Sequence, residues 1–285
     1  MAPIFPNEIT DACLDLAGQL HPRMLERLCR ISRGTRARAV KRLTQTVWVE
    51  SYGARGGYGF PRLTAVRLAR MLDRGTSHPV AGVLHMRLHS ALAPMEGFGS
   101  VFAGCPALVT LWIDQRGLSG FRPDLRGLSS LHHLRDLTVP AEWVAMRVLE
   151  GLVLPSVTHV HFANPVDVEG RVPLRAFPNL THLGFAATAT DECIEAALQG
   201  GASAVVLRGT PGRPFGPYID LRVVYLAGGV DPDAEWLKRA CPEWNPPIWD
   251  QWTFADAVVK ARRDGKMRAG DGRVAYAVKE WLGIL

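Results

Sequence analysis

The sequence has no long hydrophobic run: it lacks the roughly 18 consecutive apolar residues that a membrane-spanning helix needs. The opening residues, MAPIFPNEITD, put no basic segment before an apolar core, so we expect no secretory signal. The five cysteines are widely spaced and form no CxxC pair, which argues against a disulfide framework and against paired zinc ligands. These absences predict an intracellular protein, cytoplasmic or nuclear, with reduced thiols.

Motifs of catalysis and cofactor binding are also lacking. The sequence contains no nucleophile elbow, no HExxH motif and no spaced Cys/His set. The glycine-rich segment 53–59 lacks the Lys-Ser/Thr ending of a phosphate loop, and we interpret residues 51–59 as a flexible join. The sequence therefore predicts no enzymatic activity, no catalytic residue, no cofactor, no metal ion and no small-molecule substrate.

Positive charge is concentrated near the N-terminus. Residues 1–75 contain 13 Lys/Arg and 6 Asp/Glu, whereas the rest of the chain contains 20 and 21. A basic segment suits an acidic protein surface or a nucleic acid. Because no nucleic-acid-binding motif accompanies the charge, we expect an acidic protein partner and no nucleic acid.

A six-residue pattern with apolar residues at its first, fourth and sixth positions recurs through the middle of the chain. These hexads span residues 63–68, 83–88, 108–113, 134–139, 157–162, 180–185, 202–207 and 221–226. Successive hexads start 19 to 26 residues apart, within or next to the roughly 20–29 residues of a leucine-rich repeat. The spacing predicts one strand per repeat, with positions 4 and 6 pointing into a core because side chains alternate across a strand.

The predicted fold class is an α/β solenoid: about eight irregular leucine-rich repeats over residues 60–228, forming a curved parallel sheet. Each return path would cross the convex side, for example as a short helix at residues 191–198. The alternative is a doubly wound α/β domain with irregular loops. That alternative lacks its usual glycine fingerprint after a first strand and leaves eight matching hexads unexplained.

The first 50 residues have helical spacing of apolar side chains, with a break at His21-Pro22 and a third, basic helix predicted over residues 35–49. Here the chain resembles the F-box, the helical module that docks on the adaptor subunit of cullin–RING ubiquitin ligases. The segments FPNEI (5–9) and LCRISR (28–33) carry the resemblance, and Trp48 falls near its closing aromatic position. The resemblance implies that the ligase adaptor is bound by Phe5, Pro6, Ile9, Leu16, Leu28 and Ile31. The alternative is that residues 1–50 only cap the solenoid.

Four tryptophans fall within 17 residues near the C-terminus, at positions 236, 244, 249 and 252. Clustered aromatic residues beside a last strand predict a cap over the open end of the stack. We expect this cap in residues 229–285, with helices at 254–263 and 273–282. The tail and the repeats FPNLTHLGF and LPSVTHVHF are similar to those of fungal F-box/leucine-rich-repeat proteins.

Positions 3, 5 and 7 of the hexads are predicted to line an open concave face. The candidate target-binding residues there are Arg67, His85, Arg87, His89, Trp112, His159, His161, His182 and Tyr225. Arg87, beside Trp112, is expected either to form a cation–π pair or, with Arg67 on an adjacent strand, to grip an acidic or phosphorylated segment; the alternative is a merely solvated face. The three middle histidines have a spacing that could hold zinc, but no second shell accompanies them, so we interpret them as polar decoration.

Together these features predict a protein-binding adaptor that recruits a target protein to a cullin–RING (SCF-type) ubiquitin ligase. The alternative is a leucine-rich-repeat scaffold without ligase contact.

Overall fold

Ten parallel strands form one open sheet in the computed structural model of the chain. The residues that the structure describes are 33–50, 62–64, 79–89, 98–114, 125–145, 147–163, 172–185, 189–209, 220–227, 251–268 and 274–275, with Ile9, Cys13, Arg27, Arg30, Leu68 and Arg70. The strands are β1 (Thr46–Glu50), β2 (Arg62–Thr64), β3 (His85–His89), β4 (Thr110–Asp114), β5 (Asp136–Pro140), β6 (His159–Ala163), β7 (His182–Phe185), β8 (Ala204–Gly209), β9 (Val223–Ala227) and β10 (Val274–Ala275).

Strands β3 to β10 lie side by side in chain order. Only at the start does the order differ, because β1 lies between β2 and β3 and pairs with both. The α-helices are α1 (Arg33–Gln45), α2 (Phe98–Ala103), α3 (Glu142–Ala145), α4 (Asp191–Gln199) and α5 (Gln251–Arg263). Three short 3₁₀ helices lie at Pro79–Gly82, Arg126–Ser130 and Leu174–Ala176. The chain is therefore an open α/β fold, as the sequence predicted. Among the described helices, none is long and apolar enough to cross a membrane.

The larger hydrophobic core lies on one side of the sheet, here called the first face, under the segments that connect successive strands. Six of the eight hexads place their fourth and sixth residues in this core, as predicted. In β4 and its neighbours, Leu111, Leu137, Val160 and Leu183 are completely buried. Burial of each such side chain stabilises the fold by about 1.5–3 kcal/mol, so the hexad period reflects a continuous row of core contacts. Helix α4 also lies where the sequence predicted it, with Thr190 accepting from the N–H of Cys193 as its N-terminal cap.

The structure predicted for the first and last hexads was wrong. In the first, the strand is confined to Arg62–Thr64, and Leu68 is a buried helical residue. In the last, Val223 and Tyr225 enter the first-face core, whereas Val224 and Leu226 were expected there. The cause is that a run of apolar residues, VVYL, fits either register, and a shift of one residue exchanges the two faces.

The third N-terminal helix was also predicted too long. Helix α1 ends at Gln45, and residues 46–49, expected to be helical, belong to β1 inside the sheet. The β-branched and aromatic sequence TVWVE favours a strand, and Val47 and Val49 belong to the first-face core. The interpretation of residues 51–59 as a join lies outside the described residues.

The opposite side of the sheet, here called the second face, is covered in its C-terminal half by helix α5. A second core joins this helix to β8 and β9 through Val206, Val224, Leu226, Phe254 and Val258, among others. Arg262 fastens the last turn of α5 by donating to the carbonyls of Val223 and Leu221, at 2.6 and 3.1 Å. The helix predicted at 254–263 is confirmed, but it lies on a sheet face, where the sequence predicted a cap at the end of the stack. The helix predicted at 273–282 was wrong at Val274–Ala275, which form β10.

Candidate functional site

The second face carries six of the nine residues that the sequence predicted to bind a target: His85, Arg87, Trp112, His159, His161 and His182. Strand pairing places Trp48, Arg87, Trp112, Thr138, His161 and Gly184 in one row across six adjacent strands. A neighbouring row contains His85, Thr110, Asp136, His159 and His182. The side-chain alternation was therefore predicted correctly for β3 to β7. The openness of the face was not.

Arg87 lies between two indole rings. Its guanidinium carbon is 4.5 Å from the ring centroid of Trp48 and 5.4 Å from that of Trp112. The predicted pairing of Arg87 with Trp112 is confirmed, and Trp48 adds a second ring that the sequence analysis did not consider. Arg87 is only 1% exposed, and a cation–π contact is strongest where water is excluded. The structure therefore gives Arg87 a role inside the protein, and the prediction that it faces a target on an open surface was wrong.

Trp252, from helix α5, lies over the middle of the same face. Its indole N–H donates to the Asp136 carboxylate at 3.1 Å. Its ring contacts those of His159, His161 and His182, with centroids 5.5, 6.4 and 5.7 Å away. The rings of His159 and His182 stack at 4.3 Å, as their predicted neighbouring positions allow. The part of the expected target surface that carries the three histidines is thus covered by the protein's own helix.

The predicted target-binding residues differ in burial and in the face that they occupy. Trp112, His161 and His182 are buried at 2, 2 and 7% exposure, and His85 and His159 are half-buried. Tyr225 lies on the first face, where burial raises its pKa to about 12. His89 is part of β3, but its side chain and all of Arg67 lie outside the described residues. The expected pairing of the strands of Arg67 and Arg87 was wrong, because β1 separates β2 from β3.

A hydroxyl, an imidazole and a carboxylate line up at His182. The hydroxyl of Thr181 is 2.8 Å from Nδ1 of His182, and Nε2 of His182 is 3.0 Å from Asp256. The set has the composition of a hydrolytic triad. However, the Thr181 hydroxyl donates to the carbonyl of Thr158 at 3.0 Å, and Thr158 makes the same contact with His159 in the preceding hexad. The contact is therefore a repeated feature of the strands, and it gives no sign of an activated nucleophile.

Metal binding finds no support in the described part of the chain. Within it, no group of three or more His, Cys, Asp or Glu side chains is arranged to hold a metal ion. The three middle histidines pack around Trp252, as given above. Of the cysteines, Cys105 is buried in the core, and burial raises its pKa to about 12, so its thiol is unsuited to act as a nucleophile.

An accessible groove lies on the opposite side of the molecule, where three consecutive connecting segments cover the first face. We call it the return-segment groove; it is formed by residues 149–153, 172–176 and 192–199 and has a volume of about 1200 Å³. The hexad pattern does not predict this groove, because the pattern concerns the strands and residues 149–153, 172–176 and 192–199 lie outside every hexad.

The residues predicted to bind a ligase adaptor are mostly outside the described part of the chain. Phe5, Pro6, Leu16, Leu28 and Ile31 lie there. Ile9 is described; it is in helical conformation and 47% exposed. Cys13 is also described, in helical conformation and exposed.

Comparison of the chain with protein-family models, with curated proteins and with solved structures finds no match.

Proposed function

We propose that the chain is a protein-binding adaptor of the leucine-rich-repeat type. In this proposal its N-terminal helical segment binds the adaptor subunit of a cullin–RING (SCF-type) ubiquitin ligase, and its repeats recruit a target protein. The observation that carries the proposal is the recurrence of one strand and one set of contacts per hexad. Such an array extends a surface by repetition, which suits recognition of macromolecules.

The backbone hydrogen bonds between successive hexads support the repeat. The carbonyl of Leu84 accepts from the N–H groups of Val109 and Thr110, at 2.7 and 3.0 Å. An identical pair of bonds, at the same hexad positions, recurs at the carbonyls of Val109, Arg135, Thr158 and Thr181. Five repetitions of one contact are expected of a solenoid with a constant step between repeats.

Two side chains add a partial ladder along the stack. Asn179 donates to the carbonyl of Pro155 at 2.8 Å, and Ser156 donates to the carbonyl of Leu131 at 3.1 Å. Each donor is the residue immediately before a hexad, and each acceptor lies just ahead of the preceding hexad. A polar side chain that satisfies the previous turn's backbone at a fixed position supports the solenoid in the same way.

The N-terminal part of the proposal rests on the F-box-like pattern and on the two described residues within it. Ile9 and Cys13 are each in helical conformation. Both are exposed. An exposed apolar turn is the feature by which a helix docks on a partner.

A leucine-rich-repeat scaffold without ligase contact is the second candidate, and one observation favours it. Helix α1 continues directly into β1 and packs against the 3₁₀ helix at Pro79–Gly82. The C-terminal end of α1 therefore supports the sheet by leading directly into one of its strands, as a cap would. In that case residues before Arg33 would bind no ligase subunit.

The experiment that separates the two candidates is partner identification by affinity purification and mass spectrometry, followed by direct binding to the purified ligase adaptor. The truncation must start at Arg33, because removal of residues 1–50 would take β1 out of the sheet. We expect the full chain to bind the adaptor and the chain 33–285 to lose it while keeping other partners.

A point variant gives the finer test. Pro6→Ala with Leu28→Asp should abolish adaptor binding, because an F-box docks through an apolar helical surface. Val153→Asp, at an exposed apolar position outside residues 1–50, is the matched control and should bind the adaptor normally. Wild-type affinity in the double variant would overturn the ligase proposal and leave the scaffold.

A further inference from the structure

The return-segment groove runs across the connecting segments of three successive repeats, so its length is set by the number of repeats that it crosses. It is lined by Leu149, Glu150, Gly151, Leu152, Val153, Val172, Pro173, Leu174, Arg175, Ala176, Glu192, Cys193, Glu195, Ala196 and Gln199. Its floor is formed by buried residues of the first-face core, among them Leu149, Ala176 and Cys193. The floor is therefore fixed by the same packing that holds the sheet.

An apolar side chain stands unburied at the edge of this groove. Val153 is 57% exposed, the highest value among the exposed large apolar side chains of the described residues. Leu152 and Leu174, on neighbouring segments, are half-buried against the core. A partner that covers Val153 would join it to these two side chains, and each apolar group removed from water favours association by about 25 cal/mol per Å².

The charges around the groove are unbalanced. Glu150, Glu192 and Glu195 are exposed on its walls, and Arg175 is the basic residue that lines it. Arg147 lies 3.6 Å from Glu150 and partly compensates it, but Glu192 and Glu195 lie on the first two turns of α4, away from that pair. The lining thus carries a negative potential next to exposed apolar surface, which attracts a cationic partner and repels an acidic one.

The size and polarity of the groove do not suit a small molecule. Its volume of about 1200 Å³ exceeds the roughly 300–1,000 Å³ typical of small-molecule pockets. Its charged groups are exposed on the walls, whereas a small-molecule site places a few polar groups inside an enclosed pocket. A peptide with spaced apolar and basic side chains matches both the floor and the walls.

We infer that the return-segment groove binds a basic, amphipathic segment of a target protein. Apolar side chains of that segment cover Val153 and Leu152, and its Lys/Arg residues pair with Glu192 and Glu195. The inference rests on the proposed function, because it assigns the target-recruiting surface of the adaptor. It also reverses the charge expected from the sequence, which placed the target on Arg67 and Arg87.

The test is selection of random peptides displayed on phage against the full chain, with no ligase subunit present. The enriched peptides are expected to combine Lys/Arg with apolar residues. The best of them is then synthesised, and its affinity is measured at low and physiological salt. Affinity should fall as salt rises, since exposed charges are screened over about 8–10 Å.

Two variants locate the binding. Val153→Asp and Glu195→Lys should each lower the affinity for the peptide by at least about tenfold, the loss expected at an interface hot spot. Val40→Asp and Asp264→Lys make the same changes at exposed positions outside the groove and should leave affinity unchanged. Equal thermal unfolding of all four variants and the wild type would show that folding is not the cause.

Several outcomes would overturn the inference. They are enrichment of acidic or uncharged peptides, no enrichment, or a selected peptide that binds Val153→Asp as well as wild type. A wild-type dimer that Val153→Asp converts to a monomer would assign the groove to a second copy of the chain. Because ligase binding plays no part in the selection, its failure leaves the adaptor-docking proposal to be judged by its own experiment.

Discussion

Gly184 and Trp252 fit together on the second face. A Cβ atom on Gly184 would lie 2.9 Å from Cη2 of the Trp252 indole and 2.7 Å from Cδ2 of His161. Both distances are shorter than real Cβ atoms tolerate. Because β7 has no side chain at this position, Trp252, the first aromatic residue of helix α5, can pack directly against the strand. The helix thereby covers a part of the face that strand alternation alone would leave open.

Gly184→Ala should destabilise the protein by about 1–3 kcal/mol, because overpacking forces buried rings to shift. The rings of His161 and Trp252 are both buried, so neither can swing into solvent. Urea unfolding followed by circular dichroism measures the loss. Gly82→Ala, where an added Cβ meets nothing within 4 Å, is the control and should change stability by less than about 0.5 kcal/mol. An equal effect of the two substitutions would contradict the fit.

The bond between Trp252 and Asp136 ties α5 to β5, three strands from the main packing of the helix on β8. Trp252→Phe removes the N–H donor and should cost about 1.5–3 kcal/mol, since the lost bond is to a charged group. Asp136→Asn weakens the same bond. A double-mutant cycle should therefore give a coupling energy of at least about 1 kcal/mol. Additive effects of the two substitutions would show that the hydrogen bond does not stabilise the packing of α5 on the sheet.

The strands were predictable where one face is uniformly apolar. The hexad at residues 134–139, for example, has Leu134, Leu137 and Val139 in the core, and Asp136 and Thr138 between them leave only one register. Strand β1 was not predicted because Thr44 occupies the first hexad position, where the other hexads have an apolar residue. Its preceding helix, moreover, continues into it without a break.

The closure of the second face could not be read from the strands. His161, Trp112 and Arg87 alternate with core residues and carry polar atoms, which is typical of an exposed face. The ring of His161 packs against that of Trp252, at 6.4 Å between centroids, and Trp252 is 68 residues beyond Gly184 in the chain. A contact between residues so far apart in the chain produces no periodic pattern in the sequence. The one sequence feature that reflects it is the glycine at the fifth position of a hexad.

Arg222 holds the end of α4 to the start of β9. Its guanidinium donates to Asp220 through Nε and Nη2, at 3.0 and 2.8 Å, and through Nη1 to the carbonyls of Leu198 and Ala202. Hydrogen bonding to Arg222 is the main reason that the pKa of Asp220 is lowered. Its contribution is therefore present above the ordinary pKa of an aspartate and is lost as pH falls through the lowered value.

Arg222→Lys cannot reproduce this fork and should lose about 1 kcal/mol, a modest value because both side chains are about 30% exposed. Chemical unfolding at pH 7 checks the magnitude. Arg175→Lys, at an exposed arginine of the segment that connects β6 to β7, serves as the control and should be neutral. If Arg222→Lys is equally neutral, the fork does not stabilise the junction.

His85 should make the protein sensitive to mild acid. It lies in β3 between Thr46 and Thr110, and burial lowers its pKa from 6.5 to about 4. The unfolded chain therefore takes up a proton near pH 6.5, whereas the folded chain takes it up only near pH 4. Stability from this residue is complete above pH 6.5, falls as pH decreases between these two values, and is constant below the lower one.

The total loss is about 3 kcal/mol at most, from about 1.4 kcal/mol for each pKa unit. Because the ring is only half-buried, we expect about 2 kcal/mol. Because the chain has nine histidines, the measurement is the difference between wild type and His85→Gln in urea unfolding from pH 7.5 to pH 4. Glutamine carries no charge at any of these pH values, and the variant should lose less stability than the wild type on acidification. Parallel curves for the two proteins would show that His85 is protonated as readily in the folded chain as in the unfolded one, and that β3 does not exclude water from its ring.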